Sequence, residues 1–303
     1  MNLDLVTTLT NATITLAAPL LMAALGELIS EKGGVLNIEL EGIMLSGAFC
    51  GVWATFASAS LVLGFLGAAL GGLAVAAVQG IVCFNFRAEQ VVSGVVLNIL
   101  VLGLTTYGIS AVFASNLANS VPTVPDLPIP FLSQIPVIGP ALFSHNILVY
   151  ITFLLVPLVA WIIGKTTIGL AIQACGENPS AATSMGVDTR KIRWLVLLTC
   201  GALAGMGGGQ LTLAGLGTFT QNVTAGRGFI ALAAVMFGRW NPVATMGAVI
   251  LFTFTEAVQI RAQVLGIRLP YQFLVMLPYL VTILALALFV RRGRPPKYLG
   301  INF

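Results

Sequence analysis

The chain has 303 residues, of which 58% are hydrophobic and only 8% are charged, and its net charge is +4. A soluble globular domain carries about 25% charged residues, so this composition excludes a water-soluble fold. Apolar runs of ~20 residues recur along the chain, and each is long enough to cross the ~30 Å hydrocarbon core of a bilayer. The sequence therefore predicts an all-α, polytopic membrane protein, and its small positive charge does not indicate a nucleic-acid partner.

Nine membrane-spanning segments are predicted in chain order. They cover roughly 9–28, 42–59, 61–84, 91–113, 146–164, 193–214, 226–238, 244–263 and 270–290. The seventh is short, and the stretch that leads into it, "GTFTQNVTAGRG", is rich in glycine and threonine. This composition predicts a partly inserted, non-helical segment near 215–228.

The positions of lysine and arginine set the predicted orientation, because cytoplasmic loops carry an excess of these residues. If the C-terminus is cytoplasmic, three basic residues are outside, namely Arg227, Arg261 and Arg268. The other eleven of the 14 are inside: Lys32, Arg87, Lys165, Arg190, Lys191, Arg193, Arg239, Arg291, Arg292, Arg294 and Lys297. The N-terminus, with Asp4 as its charge, is then outside.

This orientation divides a single transmembrane domain, 1–303, into two inverted halves of four segments. The parts in order are a first half (1–113), an external proline-rich loop (114–145), a connector helix (146–164), a cytoplasmic loop (165–192), a second half (193–290) and a basic cytoplasmic tail (291–303). The second segment of each half is interrupted, at "EKGGVLNIELEGIMLSGAF" and at "NVTAGRGFIALAAVMFG". Inverted repeats with matching interruptions are typical of transporters, in which the solute path lies between the halves.

The external loop contains six prolines, which deny it a regular helix. They are Pro122, Pro125, Pro128, Pro130, Pro136 and Pro140. We expect an extended or turn-rich cap on the outer face. It is either a passive linker or a docking surface for an extracytoplasmic partner.

Motifs for catalysis and metal binding are absent from the sequence. It has one histidine, His145, and no HExxH, CxxC or GxSxG pattern. The stretch "VAWIIGKTT" ends like a phosphate-binding loop, but Val159 stands where that motif requires glycine. The sequence therefore predicts neither an enzyme nor a cofactor in this chain.

Five polar side chains in or beside the spans are candidates for a solute path, because polar groups at membrane depth are costly and often functional. Asn37 and Glu41 flank the start of the second segment, Asn98 lies in the fourth, and Glu256 and Gln259 lie in the eighth. An equally consistent interpretation for Asn37 or Glu41 is that it caps the second helix. Glu256 is the strongest path candidate, and a hydrogen bond to a neighbouring helix is its alternative.

The cytoplasmic loop contains the polar stretch "ENPSAATSMGVD". Asn178 suits an N-cap, Pro179 suits the first helical position, and Gly186 suits a left-handed stop. The residues between them form about two helical turns, ~10 Å long, with Ala181, Ala182 and Met185 on one side. Such a short helix is unstable alone in water, so it must lie on the protein, on a partner or on both.

Four stretches together resemble one family of membrane proteins. "GLAIQACGENPSAATSMGVDTRK" followed by "LTCGALAGMGG" resembles the coupling loop of ABC importer permeases of the ribose, simple-sugar, nucleoside and branched-chain amino acid group. "GRGFIALAAVMFGRWNP" and "RRGRPPKYLG" are similar to its late signature and its tail. "GELISEKGGVLNIELEGIMLSGAF" is similar to the early signature of the nucleoside and simple-sugar branch, and its "EKGGVLNIELEG" indicates the nucleoside type.

The resemblance implies a type II importer fold in the lipid of a bacterial cytoplasmic membrane. It also implies three protein partners: a second permease, often a paralogue; a cytoplasmic ATPase, often with two cassettes in one chain, that binds ATP and Mg; and an extracytoplasmic substrate-binding lipoprotein. In the family, the short cytoplasmic helix docks into the ATPase. The matching residues here are Glu177, Asn178, Pro179, Ser180, Ala181, Ala182, Met185, Gly186 and Val187.

The leading prediction is the permease subunit of an ATP-driven nucleoside importer. Ribose and other simple sugars, or branched-chain amino acids, are the alternative solutes. A carrier driven by an ion gradient is a competing class, but the sequence is poor in the midplane carboxylates that such a carrier uses. A membrane scaffold or channel without coupling is the third class.

Overall fold

A computed structural model of the chain describes residues 3–113, 121–130, 138–264 and 294–301 and the single residues 133, 135, 276 and 280. The described part is mostly helical. Its elements are α1 (Leu3–Lys32), α2 (Leu40–Ser58), α3 (Leu61–Gly80), α4 (Gln90–Phe113), β1 (Asp126–Pro128), α5 (Ile138–Leu142), β2 (Ser144–Asn146), α6 (Ile147–Lys165), α7 (Thr167–Glu177), α8 (Pro179–Ser184), α9 (Thr189–Gln210), α10 (Arg227–Phe237) and α11 (Pro242–Val264).

Seven helices of the described residues are long and apolar enough to cross a membrane. They are Leu5–Lys32, Leu40–Ser58, Leu61–Asn85, Gln90–Val112, Ile147–Lys165, Thr189–Leu216 and Pro242–Gln263. These match seven of the nine predicted segments, so the chain is a multi-pass membrane protein. The segment predicted at 226–238 is α10, whose 11 residues extend only ~16 Å, and the one predicted at 270–290 lies outside the described residues.

Helix α1 lies at the centre of the bundle. It packs against α6, α9, α10 and α11, while α9 also packs against α2 and α3. The α1 side chains Leu21, Leu25 and Leu28 are completely buried, and they recur at the three- and four-residue spacing that places side chains on one helical face. A helix surrounded by protein in this way positions the elements on both of its sides.

Small residues let α2, α3 and α9 approach closely. A Cβ atom added to Gly205 of α9 would meet the backbone of Ala68 and of Gly72 in α3, and one added to Gly47 of α2 would meet the backbone of Gly205. Lipid tails are as apolar as leucine, so membrane helices associate through such close packing and not through the hydrophobic effect. The high glycine content therefore supports tight contact between these three helices.

Two helices end in π-helical turns before the chain changes direction. Residues Ile81–Asn85 continue α3, and Leu211–Leu216 continue α9. After the second turn Gly217 adopts a φ of +66°, a value that suits glycine, and the chain forms turns without helix up to residue 226. The predicted non-helical segment near 215–228 is therefore confirmed for residues 217–226.

The described part of the proline-rich loop forms a small cap over the end of α9. Strand β1 pairs antiparallel with β2, with Leu127 opposite His145. The Val121 and Val124 amides donate to the carbonyls of Gly217 and Leu213 at 2.8 and 3.0 Å. The cap is extended as predicted. Its two-stranded sheet departs from the all-α prediction, and the short helix α5 departs from the expectation that proline denies this loop a regular helix.

Basic residues cluster at the opposite end of the bundle, which we call the basic end. They are Lys32, Lys165, Arg190 and Arg193, together with Arg294 and Lys297 of the tail. The tail joins three separate elements there. The Tyr298 amide donates to the Gly176 carbonyl at 2.9 Å, and the Gly300 amide donates to the Gly34 carbonyl at 3.1 Å. The buried Arg193 guanidinium donates to the Ile301 carbonyl. The tail thus fastens α7, the turn after α1 and the start of α9 to one another.

Candidate functional site

The first interrupted segment, residues 33–39, lies inside the protein and is held by side chains. The Asn37 amide nitrogen donates to Glu27 Oε1 at 3.1 Å, and Asn37 Nδ2 donates to Glu27 Oε2 at 2.8 Å. The Leu36 amide donates to Gln90 Oε1 at 2.9 Å. Non-helical backbone at membrane depth requires such protein partners because lipid offers none. Asn37 is completely buried and its nitrogens bond to Glu27, whereas the residue before α2 is Glu39, so Asn37 supports this segment and does not cap α2.

The second interruption is joined to the first by Glu41, which lies in the first turn of α2. Its Oε1 accepts hydrogen bonds from Thr224 Oγ1 at 2.5 Å and from the Gly226 amide at 2.8 Å. Its Oε2 accepts from the Gly228 amide at 2.7 Å. A carboxylate is favoured there because helix α10 begins with free N–H groups and a positive dipole end. Glu41 therefore caps α10, not its own helix.

Asn98 of α4 performs the matching role at the start of α2. Its Oδ1 accepts from the Gly42 amide at 2.7 Å, and its Nδ2 donates to the Ile38 carbonyl at 2.8 Å. One side chain thus satisfies a donor and an acceptor where the chain enters the helix. Glu41 therefore joins the starts of α2 and α10, and Asn98 joins the start of α2 to α4.

A cavity of about 230 Å³ opens where the two helix starts meet. Glu41 and Asn98 contribute polar atoms to its wall, and Ile99, Leu102, Asn222 and Phe229 complete most of its lining. The sequence patterns did not single out Asn222 and Phe229. The only signal for them was the unusual composition of the stretch that contains them.

The remaining path candidates lie elsewhere. Glu256 of α11 forms a salt bridge with Arg227, with 2.6 Å between Oε1 and Nη2, and both side chains are about three-quarters or more buried. Gln259 is half-buried on α11, and neither it nor Glu256 lines the cavity beside Glu41. Arg227 is the first residue of α10, where a cation is unfavourable next to the positive dipole end. The Glu256 carboxylate compensates for that placement.

We expect the Glu256→Gln variant to lower stability by roughly 1–3 kcal/mol, between the values typical of exposed and of buried ion pairs. The loss arises because Arg227 keeps its charge without a carboxylate. Adding Arg227→Gln should recover most of it. Thermal unfolding in detergent measures both effects. Unchanged thermal stability with reduced uptake would instead support the prediction that Glu256 faces the solute path.

The loop at the basic end has the local structure that its sequence predicts. The Asn178 Oδ1 accepts from the Ala181 amide at 3.1 Å, Pro179 begins α8, and Gly186 has a φ of +85°. Asp188 caps α9 and accepts from the Lys191 amide at 3.1 Å. Hydrogen bonds from the Lys191 amide and ammonium group lower the pKa of Asp188. Helix α8 is thus delimited at both ends by its own sequence.

The three apolar side chains that were predicted to share one side of α8 lie on two different faces. Ala182 is 4% exposed and faces the protein, where α8 packs against α7 and α9. Ala181 is exposed, and Met185 is 85% exposed. We call Ser180, Ala181, Ser184 and Met185 the outer face of α8. The expectation that Ala182 lies on the same side as Ala181 and Met185 was wrong, because packing on α7 and α9 selects the buried side.

Transporters build a solute path where discontinuous helices meet inside the protein, and here the starts of α2 and α10 meet beside a cavity. This arrangement places the chain in the class of membrane permeases. The family described as branched-chain amino acid transport system, permease component, matches residues 9–290. The chain belongs to this family, as its sequence motifs indicate.

Several curated proteins are similar over most of the chain. The guanosine ABC transporter permease NupQ of Bacillus subtilis is 35% identical over 96% of this chain and 95% of its own length. The nucleoside ABC transporter permease NupC of Lactococcus lactis is 36% identical over 95% and 93%. A Haloferax volcanii protein named as a glucose ABC transporter permease, TsgC13, is 38% identical over 86% and 79%.

The first two organisms each contain a second relative of this chain. NupP, also named a guanosine ABC transporter permease, is 29% identical over 75% of this chain and 66% of its own length. NupB, also named a nucleoside ABC transporter permease, is 25% identical over 80% and 70%. Each of these two organisms thus has two permeases with the same printed function. No solved structure matches the chain.

Proposed function

We propose that this chain is the transmembrane subunit of an ATP-driven nucleoside importer in a bacterial cytoplasmic membrane. The observation that carries the proposal is the junction of the two interrupted helices, α2 and α10, which Glu41 joins beside a mainly apolar cavity. The names of the guanosine and nucleoside permeases that match almost the whole chain supply the solute.

The proposed assembly contains two permeases, and this chain supplies one half of the path. The paired relatives in Bacillus and Lactococcus support a paralogue as the second permease. ATP and Mg are bound by a separate cytoplasmic ATPase that docks on the outer face of α8, and a lipoprotein delivers the solute from outside. The basic end then faces the cytoplasm, in agreement with the positive-inside rule.

The structure offers a continuous physical connection from α8 to the cavity. Helix α8 follows directly on α7, whose Gly176 is bonded to the tail at Tyr298. The tail in turn is bonded to Gly34, which begins the buried segment that leads into α2 and Glu41. These bonds support the proposal that a movement of α8 is transmitted to the start of α2 and, through Glu41, to the start of α10. ATP shifts the balance between inward and outward states only through unequal affinity for them.

Reconstitution tests the proposal. The chain, the second permease, the ATPase and the lipoprotein are placed in proteoliposomes, and uptake of radiolabelled guanosine is measured with and without ATP. We expect uptake that requires ATP and is insensitive to ionophores. Uptake that is abolished by ionophores and needs no ATP would identify an ion-driven carrier instead.

A simple sugar is the second candidate solute, because the TsgC13 relative is named for glucose. The same vesicles distinguish the two. Transport of glucose or ribose without guanosine would replace the nucleoside assignment, while the architecture of the importer would stand.

A further inference from the structure

The residues that line the cavity at the α2 and α10 starts differ in how much of their hydrogen-bonding capacity is used. Both oxygens of Glu41 accept hydrogen bonds from the start of α10, and both polar atoms of the Asn98 amide are bonded at the start of α2. These two side chains build the wall. Solute contact therefore falls to other residues of the lining.

Asn222 presents an unused amide to this cavity. Its side chain makes no hydrogen bond within the part of the chain that the structure describes, and the residue is exposed. Its φ of +54° is in the left-handed region, which asparagine tolerates better than most residues. The adjacent Gln221 fixes the turn to α4, with 3.3 Å between its Nε2 and Thr106 Oγ1. The turn that carries Asn222 is thus fixed to α4, and its amide offers a free hydrogen-bond donor and acceptor at the wall of the cavity.

Phe229 contributes a flat apolar surface beside this amide. The ring lies in the first turn of α10, is 49% exposed, and lines the same cavity as Ile99 and Leu102. Aromatic side chains bind nucleobases by stacking, and this contact tolerates every base because each has a π-face. Asparagine amides pair with base edges that offer one donor and one acceptor. The combination fits a planar heterocycle with a polar edge.

The volume of the cavity limits how much of a nucleoside it can enclose. Sites that enclose drug-sized ligands measure about 300–1,000 Å³, whereas this cavity measures about 230 Å³. Its volume is enough for the base of a nucleoside and too small to enclose the whole nucleoside. We propose that Asn222 and Phe229 form a transit site that recognises the nucleobase, by hydrogen bonding to its edge and by stacking. This proposal rests on the proposed nucleoside transport.

The test uses the complete reconstituted importer at a saturating concentration of loaded binding lipoprotein, and compares initial uptake rates of adenosine and inosine. Asn222→Asp replaces the amide donor by an acceptor. It should favour adenosine, whose edge offers the N6 amino group, over inosine, whose O6 and N7 are both acceptors. We expect the adenosine-to-inosine ratio to rise roughly tenfold. Asn222→Gly keeps the left-handed backbone and should reduce uptake of both without changing the ratio.

The aromatic contact has its own test. Phe229→Ala should lower uptake of both nucleosides roughly 10- to 100-fold, while Phe229→Tyr keeps the ring and should restore uptake. Trp161→Ala is the matched control, because Trp161 is a similarly exposed aromatic residue on α6 outside the cavity, and it should leave uptake unchanged.

Two outcomes distinguish a failure of the transit site from a failure of the proposed nucleoside transport. If the wild-type importer transports nucleosides but Asn222→Asp keeps the wild-type ratio and Phe229→Ala keeps the wild-type rate, the transit site is overturned and the importer stands. If the wild-type importer transports no nucleoside, the proposed function fails and the site fails with it.

Discussion

Replacing Met185 by arginine is expected to abolish ATP-dependent uptake while the membrane domain stays folded. Met185 is 85% exposed on the outer face of α8, where the proposed function places the contact with the ATPase. Loss of such an anchor weakens association by about 2 kcal/mol or more, which corresponds to roughly 30-fold. Co-purification of the ATPase with the permease pair and ATP-dependent uptake measure the effect.

Ala182→Arg provides the informative comparison for Met185→Arg. Ala182 is buried against the protein, so arginine there should displace α8 and lower thermal stability, whereas Met185→Arg should leave it unchanged. Met185→Leu keeps an apolar side chain and should retain uptake. Normal ATPase binding by the Met185→Arg variant would contradict docking through the outer face of α8.

The Glu41→Gln variant is expected to lose both stability and transport. Glutamine is nearly the same size, but it has one oxygen for the three donors that now bond to Glu41, namely Thr224 Oγ1 and the amides of Gly226 and Gly228. The NH₂ group of glutamine also places a donor opposite one of these three donors. Hydrogen bonds to charged groups contribute about 1.5–3 kcal/mol, and a buried donor left unsatisfied costs about 1–3 kcal/mol. We therefore expect a loss of about 3 kcal/mol in the free energy of unfolding.

Glu89→Gln is the matched control for Glu41→Gln, since Glu89 is an exposed glutamate in the turn before α4. It should change neither the unfolding temperature in detergent nor uptake. The transport defect of Glu41→Gln should affect every nucleoside equally, because the carboxylate supports the helix starts without contacting the base. A selective defect for one nucleoside would contradict this assignment and place Glu41 in contact with solute.

Local signals in the sequence predict α8 correctly because each of them acts within a few residues. Asn178 caps the start of α8, Pro179 occupies its first position, and Gly186 ends it with a left-handed backbone. The buried side of α8 depends on α7 and α9, and no local pattern encodes that packing. For this reason the sequence predicts the helix but assigns Ala182 to the wrong face.

For Glu41, the sequence predicts the kind of role but not the helix on which the role is performed. A carboxylate before an apolar run predicts a helix cap, and the structure contains that cap, but on a helix more than 180 positions away. Likewise, Asn222 and Phe229 face a cavity only because α4, α2 and α10 meet there. The interruption in "NVTAGRG" indicates the place, whereas the recognition chemistry requires the three-dimensional arrangement.

The bonds made by residues 298–301 also have a consequence for biogenesis. Arg193 is inserted into the membrane domain long before its acceptor exists, because the Ile301 carbonyl comes 108 positions later in the chain. During synthesis, the carbonyls of Gly34 and Gly176 likewise gain their hydrogen bonds only after Gly300 and Tyr298 have been added. The contacts that join α7, the turn after α1 and the start of α9 are therefore completed only late in translation, and the surface proposed to receive the ATPase is completed with them.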